Sequence, residues 1–205
     1  MAYSSVWVDE IAAVVLAAGL STRMGKPKMV LPWGKSSIIG TVVATLTNSG
    51  LKHIIVVTGG SSQEIADALY GFSTQIVFNP MHENGEMLYS IQIGLSVLPS
   101  TIRAALVVLG DQPQTQIDVV QSVIKVFQTK QANLIIPSFQ MRGGHPWLVG
   151  RSLWPEILAL TPPATMRDFV RDNATSIHYL SVNTATILAD VDTPEDYEQS
   201  RAEMK

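Results

Sequence analysis

The sequence predicts an α/β fold, a mostly parallel central sheet with helices on both faces. Three observations carry that expectation. Short β-branched runs alternate with helical stretches up to about Gly143, the rhythm of strands joined by crossover helices. Several of these runs are continuously apolar, as strands covered on both faces are. With 205 residues and 46% hydrophobic composition, the chain can bury a full core as one domain. No internal repeat, low-complexity segment or linker interrupts it, so one domain is expected over residues 1–205, with 1–10 as a loose N-terminal extension.

Taken in order, Ile11–Leu16, His53–Thr58, Gln75–Phe78, Ala104–Leu109 and Asn133–Pro137 read as buried strands. Between them Ser37–Ser49, Ser62–Tyr70, Leu88–Leu98 and Gln116–Thr129 read as helices, several with Ser, Thr or Asn near their starts. Beyond Gly143 the rhythm changes. Pro146–Val149 and Ser176–Val182 read as strands, and Leu153–Leu160 and Thr165–Arg171 as helices. Pro194–Met204 reads as a closing helix with proline in its first turn. Ligands of such sheets sit beyond the carboxyl ends of the strands, where positions 19 and 111 both fall.

The first strand ends in Ala17-Ala18-Gly19-Leu20-Ser21-Thr22-Arg23-Met24-Gly25-Lys26-Pro27-Lys28. Gly19 and Gly25 let backbone N–H groups approach an anion, and Arg23, Lys26 and Lys28 bring positive charge. Five residues separate the two glycines, and Lys-Pro follows, which excludes a Walker loop; GxGxxG is absent as well. Pro27 and Pro32 delay the next helix, so the loop is long enough to wrap a ligand. A basic surface turn is the plainer alternative for this segment alone.

Asp111 follows Gly110 at the end of the apolar run Ala104–Leu109, a place suited to holding magnesium on a phosphate ligand or, equally, to ordering a turn. Asp190 and Asp192 lie two apart, so an extended segment turns both to one side. Thr193, Pro194, Glu195 and Asp196 are accounted for by a helix start, which leaves the two acids unexplained. A metal site shared by Asp111 and Asp192 would explain them. Arg142-Gly143-Gly144-His145-Pro146 is a glycine turn bearing a cation and an imidazole, suited to a substrate pocket or to the surface. Asn79 to Gly85 joins a strand to a helix, with Ser90 in that helix's first turn. His53, His82 and His178 have no spacing partner and read as structural.

The net charge of −3 gives no sign of nucleic-acid or membrane partners. Its distribution is uneven: Arg23, Lys26, Lys28, Lys35 and Lys52 fall in a stretch without acids between Glu10 and Glu64. That local field suits a small polyanion. The lack of cysteine excludes disulfides, thiol nucleophiles and cysteine-bound zinc. The apolar run over 11–18 is too short to cross a bilayer, and a cytoplasmic protein is expected.

Four ordered motifs then resemble the MobA-like nucleotidyltransferases. They are Leu16-Ala17-Ala18-Gly19-x-Ser21-x-Arg23-Met24-Gly25-x-x-Lys28 with Leu31-Pro32, Gly110-Asp111-Gln112-Pro113, Gly144-His145-Pro146, and Asp190-x-Asp192-Thr193-Pro194-Glu195-Asp196. The branch they are most similar to moves CMP from CTP to molybdopterin, the organic part of the molybdenum cofactor, and releases pyrophosphate. The resemblance implies a three-layer Rossmann-like nucleotidyltransferase fold and Mg2+. It implies that Leu16, Ala17, Ala18, Gly19, Ser21, Arg23, Gly25, Lys28, Asn79, Gly85, Ser90 and Asp111 bind nucleotide, with Lys28, Arg23 and Asp111 catalytic. Asp111 and Asp192, with Asp190 beside them, would hold the metal, and Gln112, Gly144 and His145 the acceptor. A molybdoenzyme recipient is an implied partner. Alternatives are a transferase for another phosphorylated acceptor, a non-catalytic protein delivering cofactor, and a nicotinamide oxidoreductase, which would need the dinucleotide loop this chain lacks.

Overall fold

Strand β1 (Ile11–Ala17) is apolar on both faces and lies inside the sheet of a computed structural model that describes residues 9–21, 24–84, 87–130 and 132–202. A hairpin of β2 (Pro32–Trp33) and β3 (Ser36–Ser37) follows, then α1 (Ile38–Asn48), β4 (His53–Thr58), α2 (Ser62–Ala68), β5 (Gln75–Phe78) and α3 (Met87–Ser96). Next come β6 (Ala104–Leu109), α4 (Ile117–Lys130), β7 (Leu134–Phe139), β8 (Arg142–Gly143) and β9 (Trp147–Gly150). The chain continues through α5 (Trp154–Ala159), α6 (Met166–Asp172), β10 (Ile177–Ser181) and α7 (Pro194–Ala202).

The main sheet runs β10-β7-β9-β6-β1-β4-β5, with β8 added to β7. The pairs β1/β4, β1/β6, β4/β5 and β7/β10 are parallel, while β9 is antiparallel to both of its neighbours. Side chains alternate across β1. Ile11, Ala13, Val15 and Ala17 pack with α1, α2 and α4, through residues such as Val43, Ile65 and Val123. Ala12 and Val14 pack with α3, α5 and α6, through Ile91, Ile157 and Phe169. The expected three layers are present, and burying each such aliphatic side chain contributes roughly 1.5–3 kcal/mol.

A third apolar cluster lies apart from these two. Met24, Leu31 and Trp33 from the loop after β1 pack with Ile38, Val191 and Tyr197. The Tyr197 hydroxyl donates to the Pro32 carbonyl at 2.6 Å. This cluster joins the start of the chain to its last helix.

One expectation changes. Gln75–Phe78, expected as a buried strand, forms the sheet edge, with Gln75 and Phe78 exposed, because no strand among the described residues pairs its outer side. Of the expected extension over 1–10, residues 1–8 lie outside the described residues; Arg103 N donates to the Glu10 carbonyl at 2.7 Å. Helix starts follow their local signals. Ser37 Oγ accepts from Gly40 N at 3.0 Å, and Thr193 and Asp196 cap α7 reciprocally. Among the described residues no helix is long and apolar enough to cross a membrane.

Helix α3 crosses β1 at Gly94, where a Cβ would overlap Val14 Cγ1 and press on Val57. Gly94→Ala is expected to cost about 1–3 kcal/mol by overpacking. Urea unfolding measures this; an unchanged midpoint would show that α3 can shift freely on the sheet.

Candidate active site

The strand order reverses beside β1: the chain runs outward through β4 and β5, then returns to place β6 on the other side. Such reversals open a crevice at the carboxyl ends of the strands. A cavity of about 170 Å³ lies there, lined by Leu16, Ala18 and Gly19 from the end of β1 and by Leu109 and Asp111 from the end of β6. Asn79, His82, Met87 and Ser90 form another part of its wall, and Lys28 and Met29 complete it. Gly110 lets the two strand ends meet closely. Its N–H donates to the Leu16 carbonyl at 3.0 Å, and a Cβ would press on that oxygen at 2.8 Å.

Lys28 is the charged centre. Its side chain is 9% exposed, and Nζ donates to Asp111 Oδ2 at 2.5 Å and Asp192 Oδ1 at 2.7 Å. Burial alone would lower the lysine pKa. Attraction to Asp111 and hydrogen bonds to both carboxylates outweigh that, so the ammonium is held above its ordinary value. Ser21 Oγ accepts from Lys28 N at 3.2 Å, and Met24 N donates to the Ser21 carbonyl, which folds the loop back on itself. Ser21 (φ 51°) and Gly25 (φ 64°) make the reversals.

The acids come together from positions far apart in sequence. Val191 N donates to the Asp111 carbonyl at 3.0 Å, and buried Val191 anchors the segment in the third apolar cluster. Asp192 N and Thr193 N both donate to Asp196 Oδ2. Asp190 accepts from Gln112 Nε2 at 2.7 Å. Burial first, then the nearby negative charges of Asp111 and Asp192, raise the Asp190 carboxyl's pKa against the Gln112 hydrogen bond.

Among the described residues no group of three or more His, Cys, Asp or Glu is arranged to hold a metal alone. Asp111 and Asp192 do bring two carboxylate oxygens to one cation. That donor set fits magnesium, which takes one or two carboxylates and completes its shell with phosphate and water.

Asn79 is fully buried and organises the turn after β5. Its Nδ2 donates to Ser90 Oγ at 3.0 Å, and its Oδ1 accepts from Met81 N at 2.8 Å. His82, read from sequence as structural, lines the cavity. Its Nδ1 lies 3.0 Å from the Asn79 carbonyl and its ring meets Phe78 edge-on. The available signal was the Gly59-Gly60 pair, where a Cβ at Gly59 would collide with the His82 side chain. Of the other residues assigned to nucleotide, Ala17 packs in the core, and Ala17, Ser21 and Gly25 do not line the cavity. Arg23 and Gly85 lie outside the described residues.

The residues expected to hold the acceptor converge on one carbonyl. His145 N donates to the Ile187 oxygen at 3.0 Å and Gln112 Nε2 approaches it at 3.4 Å, while Gly144 crosses directly over it. Gln112 is 2% exposed, and Gly144 is buried. The His145 ring stacks on Trp147 at 4.6 Å, with Nε2 buried and without a hydrogen-bond partner among the described residues. Burial lowers its pKa to about 4.

Comparison with known proteins identifies relatives over most of the chain. The model of the MobA-like NTP transferase domain matches residues 13–177. The molybdenum cofactor cytidylyltransferase of Escherichia coli K12 is 28% identical over 93% of this chain and 95% of its own. Nicotine blue oxidoreductase of Paenarthrobacter nicotinovorans is 24% identical, with 90% and 93% covered. The crystal structure of Rv0371c from Mycobacterium tuberculosis H37Rv superposes with a TM-score of 0.83 at 25% identity, covering 95% of this chain and 99% of that one.

The His145 shift fixes a pH dependence. An unfolded histidine takes up a proton below about pH 6.5 while the buried one stays neutral to about pH 4, so stability falls with pH in that window. Between pH 7 and pH 5 this group is expected to remove about 2 kcal/mol. Urea unfolding at both pH values should show that loss reduced in His145→Gln. Equal losses in both proteins would contradict the assignment.

Proposed function

The chain belongs to the MobA-like NTP transferase domain family, and from that premise we propose that it transfers CMP from CTP to molybdopterin or its molybdenum-loaded form, releasing pyrophosphate. One observation carries the reading: Lys28, Asp111 and Asp192 converge beside a cavity at the glycine loop after β1. The likeness to the Escherichia coli cytidylyltransferase, spanning nearly both chains, supports this donor and acceptor. A cytoplasmic location and a molybdoenzyme recipient go with it.

In this mechanism an acceptor phosphate oxygen attacks the α-phosphorus of CTP. The new P–O bond forms as the bond to the bridging oxygen breaks, and both electrons leave with pyrophosphate. Lys28 and Arg23 neutralise charge on the bridging and leaving oxygens, while backbone N–H groups between Gly19 and Gly25 fix the pyrophosphate. Asn79 and Ser90, with Gly85 by the family resemblance, would contact the nucleoside, and Gln112, Gly144 and His145 would receive the acceptor. Asp111 and Asp192 would hold Mg2+, which supplies Lewis-acid neutralisation of phosphate charge when bound. No covalent nucleophile is needed, and the chain has no cysteine to offer one.

The direct test incubates the protein with each NTP, Mg2+ and molybdopterin, and measures pyrophosphate and the dinucleotide product. CTP is expected to give both. Failure with every nucleotide would reject the reading, and transfer to another phosphorylated acceptor would redirect it. Redox turnover of nicotine blue without nucleotide transfer would instead favour the activity named for the Paenarthrobacter relative. Lys28→Ala should lower kcat about a hundredfold or more at saturating CTP. An unchanged kcat would remove Lys28 from the chemistry.

A further inference from the structure

The two carboxylates and the lysine differ in how they are held. Asp111 is fixed by its carbonyl's bond to Val191 N and by the close approach of Gly110 to Leu16. Asp192 is fixed by its N–H on Asp196 and by buried Val191 beside it. Their backbone positions owe nothing to the ammonium. Lys28 reaches them from a three-residue turn on a flexible four-methylene stem, and it also lines the cavity beside Gly19.

Charge tells the same story. Two carboxylates and one ammonium leave the cluster one negative charge in excess, which a divalent cation in place of the ammonium would cancel. The ammonium and a small hard cation seek the same oxygens, so they compete. A phosphate in the cavity offers Lys28 a second anion within reach of its stem.

We propose that Lys28 holds the place of the divalent cation between Asp111 and Asp192, so that metal enters the site only as an anionic ligand draws the ammonium toward the cavity. The inference rests on the nucleotide–metal reading given above. It makes metal and nucleotide arrive together: free Mg2+ binds poorly, and the binding of one favours the other. Lys28 thereby guards the carboxylate pair in the empty enzyme and is released to the phosphates once the cation has replaced it.

The test uses Mn2+ alone with the full chain, its binding followed by the loss of the free-ion paramagnetic resonance signal. Wild type should bind Mn2+ weakly. Lys28→Met and Lys28→Gln, the second keeping a hydrogen-bond donor without the charge, should each bind about tenfold tighter or more. Adding Asp192→Asn to Lys28→Gln should abolish the gain. Thermal unfolding of the same proteins gives a second readout: Mn2+ should raise Tm more in the Lys28 variants than in wild type, even where substitution has lowered the starting Tm. Equal or weaker Mn2+ binding in both Lys28 variants, or tight binding by wild type alone, would overturn the proposal. None of these measurements uses CTP or an acceptor, so failure of the cytidylyl-transfer reading is seen separately, in the product assay.

Discussion

A buried ammonium needs an opposing charge, and in this chain two carboxylates distant in sequence meet that need. Lys28 is 9% exposed, and removing such a group from water costs several kcal/mol unless partners compensate. Asp111 and Asp192 compensate it, each carried to that point by its own backbone bonds and packing. The β1 loop folds inward and brings Lys28 under cover between them.

Ordinary packing sets each of these positions. The reversal of strand order beside β1 places the β6 end next to the β1 loop, with Gly110 permitting close contact. The third apolar cluster then carries Val191 and Tyr197 against Met24, Leu31 and Trp33, which brings Asp192 across the molecule. One part of the cavity wall is assembled independently by Asn79, which binds Ser90 and Met81 and so orders the turn that carries His82. Gln112, Gly144 and His145 gather on the Ile187 carbonyl. Function here comes from loops fixed to a rigid sheet.

Much of this was legible in the residues. The apolar runs ending at Leu16 and Leu109 gave β1 and β6 almost to the residue, because strands buried on both faces leave an unbroken apolar signature. The spacing of Asp190 and Asp192 pointed to a role that the helix start at Thr193 did not explain. What the two acids do separately was not legible. Asp192 meets Lys28, whereas Asp190 meets Gln112, a distinction set by tertiary packing that no local pattern encodes. The edge position of β5, the reversed direction of β9 and the cavity role of His82 were hidden for the same reason. Each depends on which neighbours a segment acquires across the sheet.

The central claim is spatial and chemical at once: the carboxylates of Asp111 and Asp192 form one cation site facing the cavity beside Gly19. A crystal structure with CTP and Mn2+, read by anomalous scattering, tests it most directly. The account predicts a manganese peak between these two carboxylates, with the triphosphate against the loop from Gly19 to Gly25 and Lys28 on phosphate oxygen. Nucleotide bound elsewhere, or metal held without either carboxylate, would contradict it.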